Sequence, residues 1–92
     1  MYLVQRFRLT AQEVCSASED IKRYSGYIAF SEKKLSEIEV ILASPGISAS
    51  ERRYALSDRE TQTKFLHENQ ENLEFAQKRL SELIDDGPLK TR

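Results

Sequence analysis

The chain has 92 residues, 32% of them charged and 39% hydrophobic, which is enough for one domain at most. Its 14 Lys and Arg nearly balance its 15 Asp and Glu, and the formal charge of −1 gives no overall attraction to nucleic acid or an anionic membrane. The N-terminal apolar run is too short for a signal peptide, and no stretch approaches the roughly 20 apolar residues of a membrane span. One cysteine excludes an internal disulfide, so we expect a soluble, cytoplasmic protein.

Two capping-box signatures predict where helices begin. In such a box a hydroxyl accepts a hydrogen bond from a backbone N–H one turn into the helix, and a glutamate three residues on reaches back to the cap residue. The two boxes start at Thr10 and Ser48. We therefore expect a first helix over residues 10–43, preceded by a separate N-terminal arm at residues 1–9.

The first helix carries apolar residues at a seven-residue spacing, which predicts coiled-coil-like packing against another helix. One row is Val14, Ile21, Ile28, Leu35 and Leu42, and the interleaved row is Ala17, Tyr24, Ser31 and Ile38. Tyr27, Phe30 and Ile41 lie beside these rows, so the apolar face is wider than a two-stranded coil requires and suits a bundle. Gly26 is either a tolerated surface glycine or a point where another backbone approaches closely.

A Ser-Pro-Gly sequence predicts a chain reversal at residues 44–47, and the second helix is expected over residues 48–86. Gly87 should end that helix, and residues 87–92 should form a disordered tail. The apolar pattern of the second helix is thinner, and consists of Leu66, Leu73 and Leu80 with Ala76, Leu83 and Ile84 beside them. A further capping-box match at Ser57 leaves open a break in this helix.

No group of residues in the sequence predicts catalysis, a cofactor or a metal. His67 is the one histidine, and pairing it with Glu71 falls short of the three or four ligands that a metal site needs. Cys15 has no nearby base to activate it, so we interpret it as a partly buried structural thiol. Phosphate-binding glycine loops and nucleophile motifs are missing. We expect a protein that is not an enzyme and has no small-molecule substrate.

These patterns predict an all-α fold, an antiparallel helical hairpin over residues 10–86, completed into a four-helix bundle by dimerisation or by a protein partner. The predicted function is a non-enzymatic protein–protein interaction module of the adaptor, co-chaperone or inhibitor type, without membrane contact. Asn69 falls on the apolar stripe of the second helix and is predicted to fix the register of pairing. The predicted partner-binding residues are Ile21, Tyr24, Tyr27, Ile28, Phe30, Leu35, Ile38 and Ile41.

The alternative function is a small dimeric regulator that binds nucleic acid. Arg6 and Arg8 flank an aromatic residue near the N-terminus, and Arg52 and Arg53 precede another at the start of the second helix. In a simple hairpin these two pairs lie at opposite ends, so only an antiparallel dimer would join them. Phosphate-dominated binding of this kind would weaken steeply as salt rises.

Overall fold

The computed structural model describes the backbone of residues 2–86 and the side-chain surroundings of residues 11–84. It contains two α-helices, α1 (Tyr2–Ala43) and α2 (Ala49–Asp86), which pack against each other as a hairpin. Between these bounds there is no strand. The Cα atoms extend over 69 × 21 × 13 Å, so the molecule is one helix thick and each helix has a single neighbour. The predicted all-helical hairpin is confirmed.

The start of α1 differs from the prediction. The helix begins at Tyr2, eight residues before Thr10, so the residues from Tyr2 onward continue the helix and do not form a separate arm. A capping box is a local preference that acts only where the chain has a reason to leave the helix. Residues 2–9 contain neither proline nor glycine, and nothing in them ends the helix. The predicted tail at residues 87–92 lies outside the described residues.

The chain reverses where the Ser-Pro-Gly sequence predicts it. At the end of α1 the Ser44 backbone N–H donates to the Ile41 carbonyl at 3.1 Å, while the Ser44 hydroxyl donates to the Val40 carbonyl at 2.8 Å. These bonds satisfy carbonyls that the helix end would leave without partners. Gly46 has a φ of +80°, a left-handed conformation that glycine adopts without steric cost.

Ser48 is the N-cap of α2, as its capping box predicts. The Glu51 backbone N–H donates to the Ser48 hydroxyl at 3.1 Å, and the Arg52 N–H donates to the Ser48 carbonyl at 3.0 Å. From Ala49 the helix then runs without interruption to Asp86. The possible break at Ser57 therefore does not occur.

The two helices meet along a line of mostly small side chains, which we call the seam. Its buried members are Ala17, Ser31 and Ile38 of α1, and Ala55, Asn69 and Ala76 of α2. Within each helix these residues are separated by multiples of seven, so they form one row per helix. Five of the six are alanine, serine or asparagine, and Ile38 is the exception. The line of closest contact therefore buries little apolar surface per residue.

Polar atoms in the seam are only partly satisfied. The Asn69 side-chain nitrogen donates to the Phe65 carbonyl of its own helix at 2.8 Å. Among the described residues, the Ser31 hydroxyl and the Gln62 side-chain oxygen are buried without a hydrogen-bond partner. Because the Asn69 nitrogen bonds within α2, this bond does not itself align α2 with α1, and the role of Asn69 in register stays a prediction.

Candidate functional site

The residues predicted to bind a partner do not form one face, because α2 covers the middle of the set. Ile38 is 7% exposed and belongs to the seam, so it is not available to a partner in the hairpin. Tyr24 lies on the same row of α1 and is half-buried. Successive helix residues are rotated by about 100°, so Tyr27 lies about 60° to one side of Tyr24 and Ile28 about 40° to the other. The seam thus separates the predicted set into two surfaces.

One surface carries large aliphatic side chains from both helices, and we call it the aliphatic face. It consists of Val14, Ile21, Ile28, Leu35 and Leu42 of α1 with Leu66, Leu73 and Leu80 of α2. All eight are half-buried. Near the open end of the hairpin, Ile21 and Leu80 line a shallow cavity of about 310 Å³ together with Gln77, Ser81 and Ile84. This cavity shows that the aliphatic rows of the two helices lie on the same side of the molecule.

The other surface is aromatic and consists of Tyr24, Tyr27 and Phe30 of α1 with Phe65 of α2. The ring centroids of Tyr27 and Phe65 are 5.9 Å apart, and those of Tyr24 and Tyr27 are 6.5 Å apart in an edge-on arrangement. Phe30 lies one turn further along and is 54% exposed. The hairpin therefore already uses part of this aromatic cluster to join its own helices, while Phe30 remains largely open.

Charged groups on the aromatic side are paired locally. Arg23 bonds to Asp20 at 2.7 Å, and its guanidinium carbon lies 5.3 Å from the centre of the Tyr24 ring. Contact with Tyr24, and then the charge of Asp20, raises the pKa of Arg23 above its usual value. Lys34 lies 5.6 Å from the centre of the Phe30 ring, within the range of a cation–π contact. Arg23 and Lys34 therefore flank the aromatic surface.

Charge is distributed unevenly along the aliphatic face. Near the turn, Glu32 and Glu39 border the rows, and the Arg59 guanidinium crosses from α2 to donate to Glu39 at 3.0 Å. The half nearer the open end is different, because its bordering positions carry no charged residue. They are Ser18, Ser25, Gln70, Gln77 and Ile84. We call this part, residues 14–28 of α1 with residues 66–84 of α2, the uncharged half of the face.

Sequence reasoning missed the contribution of α2 to this surface. Leu66, Leu73 and Leu80 were predicted as the apolar stripe of the second helix and were not included among the partner-binding residues, yet they remain half-buried after packing. Side-chain size is the sequence signal that could have revealed this contribution of α2. A row that contains Ala55 and Ala76 allows two helices to approach closely, which moves a neighbouring row of leucines away from the line of contact.

The candidates for chemistry are dispersed in the structure. Cys15 is exposed, which corrects the prediction of a partly buried thiol; it lies two residues before the seam residue Ala17 and therefore about 200° around the helix from the contact line. His67 is also exposed, on the outer side of α2. Within the described part of the chain, no three His, Cys, Asp or Glu side chains converge as a metal site would require.

The residues of the nucleic-acid alternative are only partly described. Arg52 and Arg53 are exposed in the first turn of α2, whereas the side chains of Arg6 and Arg8 lie outside the described residues. About 35 helical residues at roughly 1.5 Å each separate Arg8 from the turn end of α1, so the two pairs are about 50 Å apart in one chain. A single hairpin does not join them, and this alternative stays a prediction.

Gly26 has a simple structural setting. It is exposed on the outer side of α1, and a Cβ atom placed on it would have no heavy atom within 4 Å. Within the hairpin no other backbone approaches it, so the close-approach interpretation does not apply to the single chain.

Comparison with known proteins found no similar protein. No family model matches the sequence, and neither a curated protein nor a solved structure is significantly similar to the chain. Neither described helix contains a stretch that is both long enough and apolar enough to cross a membrane. Functional inference therefore rests on the surfaces of the hairpin itself.

Proposed function

We propose that the protein is a non-enzymatic protein–protein interaction module whose aliphatic face packs against helices from outside the chain. One observation carries this proposal. The residues on the line of helix contact are buried and mostly small, whereas the eight large aliphatic residues lie to one side of that line and stay half-buried. Further helices laid on that side would cover them.

The energetics favour covering this face. Fully burying a leucine or isoleucine contributes about 1.5–3 kcal/mol, and a half-buried side chain realises only part of this. The hairpin is 13 Å thick and has one thin layer of core, and small cores rarely supply more than about 3–5 kcal/mol. Two further helices laid on the aliphatic rows would bury them from the opposite side and complete a four-helix bundle with coiled-coil-like packing. They could come from a second copy or from another protein.

The experiment compares two substitutions that each place a glutamate at an apolar position. Leu73→Glu puts a charge within the aliphatic face, while Val40→Glu does so at a side chain that is 68% exposed on the outer surface. Sedimentation velocity measures association of the purified chain with itself, and affinity capture measures association with other proteins. Circular dichroism checks that both variants remain helical.

We expect Leu73→Glu to weaken whichever association is found by tenfold or more, because an unpaired charge would have to be buried. Val40→Glu should behave as the wild type. A chain that neither self-associates nor retains any protein sensitive to Leu73→Glu would contradict the proposed function.

A further inference from the structure

We infer that the aliphatic face binds a second copy of this chain, related by a two-fold axis that crosses the uncharged half of the face. The inference rests on the proposed function and names the partner of the same surface. In a two-fold dimer the same patch meets itself, and residues near the axis face their own counterparts. The patch must therefore tolerate being opposite an identical copy.

The uncharged half of the face meets that requirement. Between residues 14–28 of α1 and 66–84 of α2, the aliphatic rows are bordered by serine and glutamine, with the apolar Ile84 at the open end. Hydroxyl and amide groups both donate and accept hydrogen bonds, so Gln70 can pair with another Gln70, whereas a carboxylate or an ammonium group would repel its own copy. A partner of different sequence would place no such limit on this surface.

The position of the charged residues indicates the orientation of the two copies. Glu32 and Glu39 border the face near the turn. An axis that crosses the hairpin near Ile21, Gln70 and Leu73 places the two turns at opposite ends. It lays the uncharged halves of the two copies over each other and leaves Glu32 and Glu39 beyond the overlapping rows, so neither carboxylate is buried against the partner. Tyr27 contacts Phe65, which puts Ile21 and Leu73 at nearly the same level along the hairpin.

The overlapping area fits a reversible dimer. About this axis the rows from Val14 to Ile28 of the two copies lie over each other, a length of about 20 Å at roughly 1.5 Å per residue. The hairpin is 21 Å wide. The overlapping faces therefore cover roughly 400 Å² on each copy, which is typical of a weak, concentration-dependent complex.

Charge complementation provides the test. One double variant carries Gln70→Glu and Gln77→Glu, and the other carries Gln70→Lys and Gln77→Lys. Both glutamines are exposed, and Glu, Lys and Gln have similar helix propensity, so neither change should disturb the hairpin itself. Gln12→Glu, at an exposed position outside the face, is the matched control. Light scattering gives the molar mass of each protein alone and of the two double variants mixed.

We expect the mass of the wild type and of Gln12→Glu to rise with concentration from 10.6 kDa, the mass of one chain, toward twice that value. Each double variant alone should dimerise at least tenfold more weakly, because like charges would face each other, and the mixture should recover the dimer. A wild type that stays at 10.6 kDa at every concentration would overturn the dimer. A dimer that persists in both double variants would show that the interface lies elsewhere. That result would also overturn the inferred dimer.

These outcomes separate the inference from the proposed function. If the wild type is monomeric but a captured protein is lost from the Gln70→Glu and Gln77→Glu variant, the interaction module stands and only the identity of its partner changes. If the chain neither associates with itself nor captures a protein through this face, the inferred dimer and the proposed function are both wrong.

Discussion

The seam and the aliphatic face are built from neighbouring rows of the same two helices, yet they differ in side-chain size and in burial. The seam contains Ala17, Ala55 and Ala76 and is almost fully buried, while the leucines and isoleucines of the face are only half-buried. Small residues let the helices approach closely but contribute little apolar area. The larger residues hold most of the potential burial energy. The hairpin alone thus fixes its geometry without realising its full hydrophobic stabilisation.

The largest effect is expected from enlarging the seam. Ala76→Leu would insert a bulky side chain where Ala76 is 4% exposed, and overpacking of this kind costs about 3 kcal/mol. The free energy of unfolding in urea measures the loss. Ala29→Leu makes the same change at an exposed position of α1 and should alter stability by no more than about 0.5 kcal/mol. Equal losses in both variants would mean that the seam is not tightly packed.

The converse substitution replaces a large residue of the aliphatic face by a small one. Leu73→Ala should lower the free energy of unfolding by about 2 kcal/mol, at the low end for a buried leucine, when the face is covered. The loss should shrink as the chain is diluted below the concentration at which it associates, because the Leu73 side chain of a single hairpin is only half-buried. Urea unfolding at several protein concentrations measures this. A loss that does not change on dilution would show that Leu73 contributes only within its own hairpin.

The two described glycines should respond with opposite signs. Gly26→Ala should raise the free energy of unfolding by about 1 kcal/mol, because the new methyl group meets nothing and alanine is the better helix former. Gly46→Ala should lower it by about 1 kcal/mol, because the φ of +80° strains any residue with a Cβ. Thermal unfolding of the two variants against the wild type measures both. Stabilisation by Gly46→Ala, or destabilisation by Gly26→Ala, would contradict the described backbone.

The smallest effect concerns the buried hydroxyl in the seam. Ser31 is fully buried and its hydroxyl has no hydrogen-bond partner among the described residues, so Ser31→Ala should raise the free energy of unfolding by about 0.5–1 kcal/mol. Urea denaturation is again the measurement. At Ser36, which is exposed and donates to the Glu32 carbonyl at 3.1 Å, the same substitution should be nearly neutral. Destabilisation at Ser31 would reveal a hydrogen bond that the hydroxyl makes in solution.

Much of the fold follows from local sequence signals. The seven-residue spacing predicts both helices, and the capping box at Ser48 predicts where α2 starts because its hydroxyl does accept the predicted bond. The box at Thr10 has the same form but lies within continuous helix, since no residue before it breaks the helix. A cap signature therefore marks a helix start only when the preceding residues also favour leaving the helix.

The division into two surfaces was harder to predict. A seven-residue repeat contains two apolar rows, and the pattern alone does not say which of them the neighbouring helix covers. Ile38 and Phe30 were assigned to one binding face, yet Ile38 is buried in the seam and Phe30 lies on the aromatic side. Their positions depend on where α2 packs, which is set by the small residues of both helices together.

The proposal that a second copy completes the core is tested most directly by the dependence of thermal unfolding on chain concentration. A fold completed by a second copy is stabilised by mass action, so we expect the midpoint temperature to rise steadily with concentration. The Gln70→Glu and Gln77→Glu variant should lose that dependence while keeping its helicity. A wild-type midpoint that stays constant over a hundredfold range of concentration would show that the hairpin is stable without a second copy.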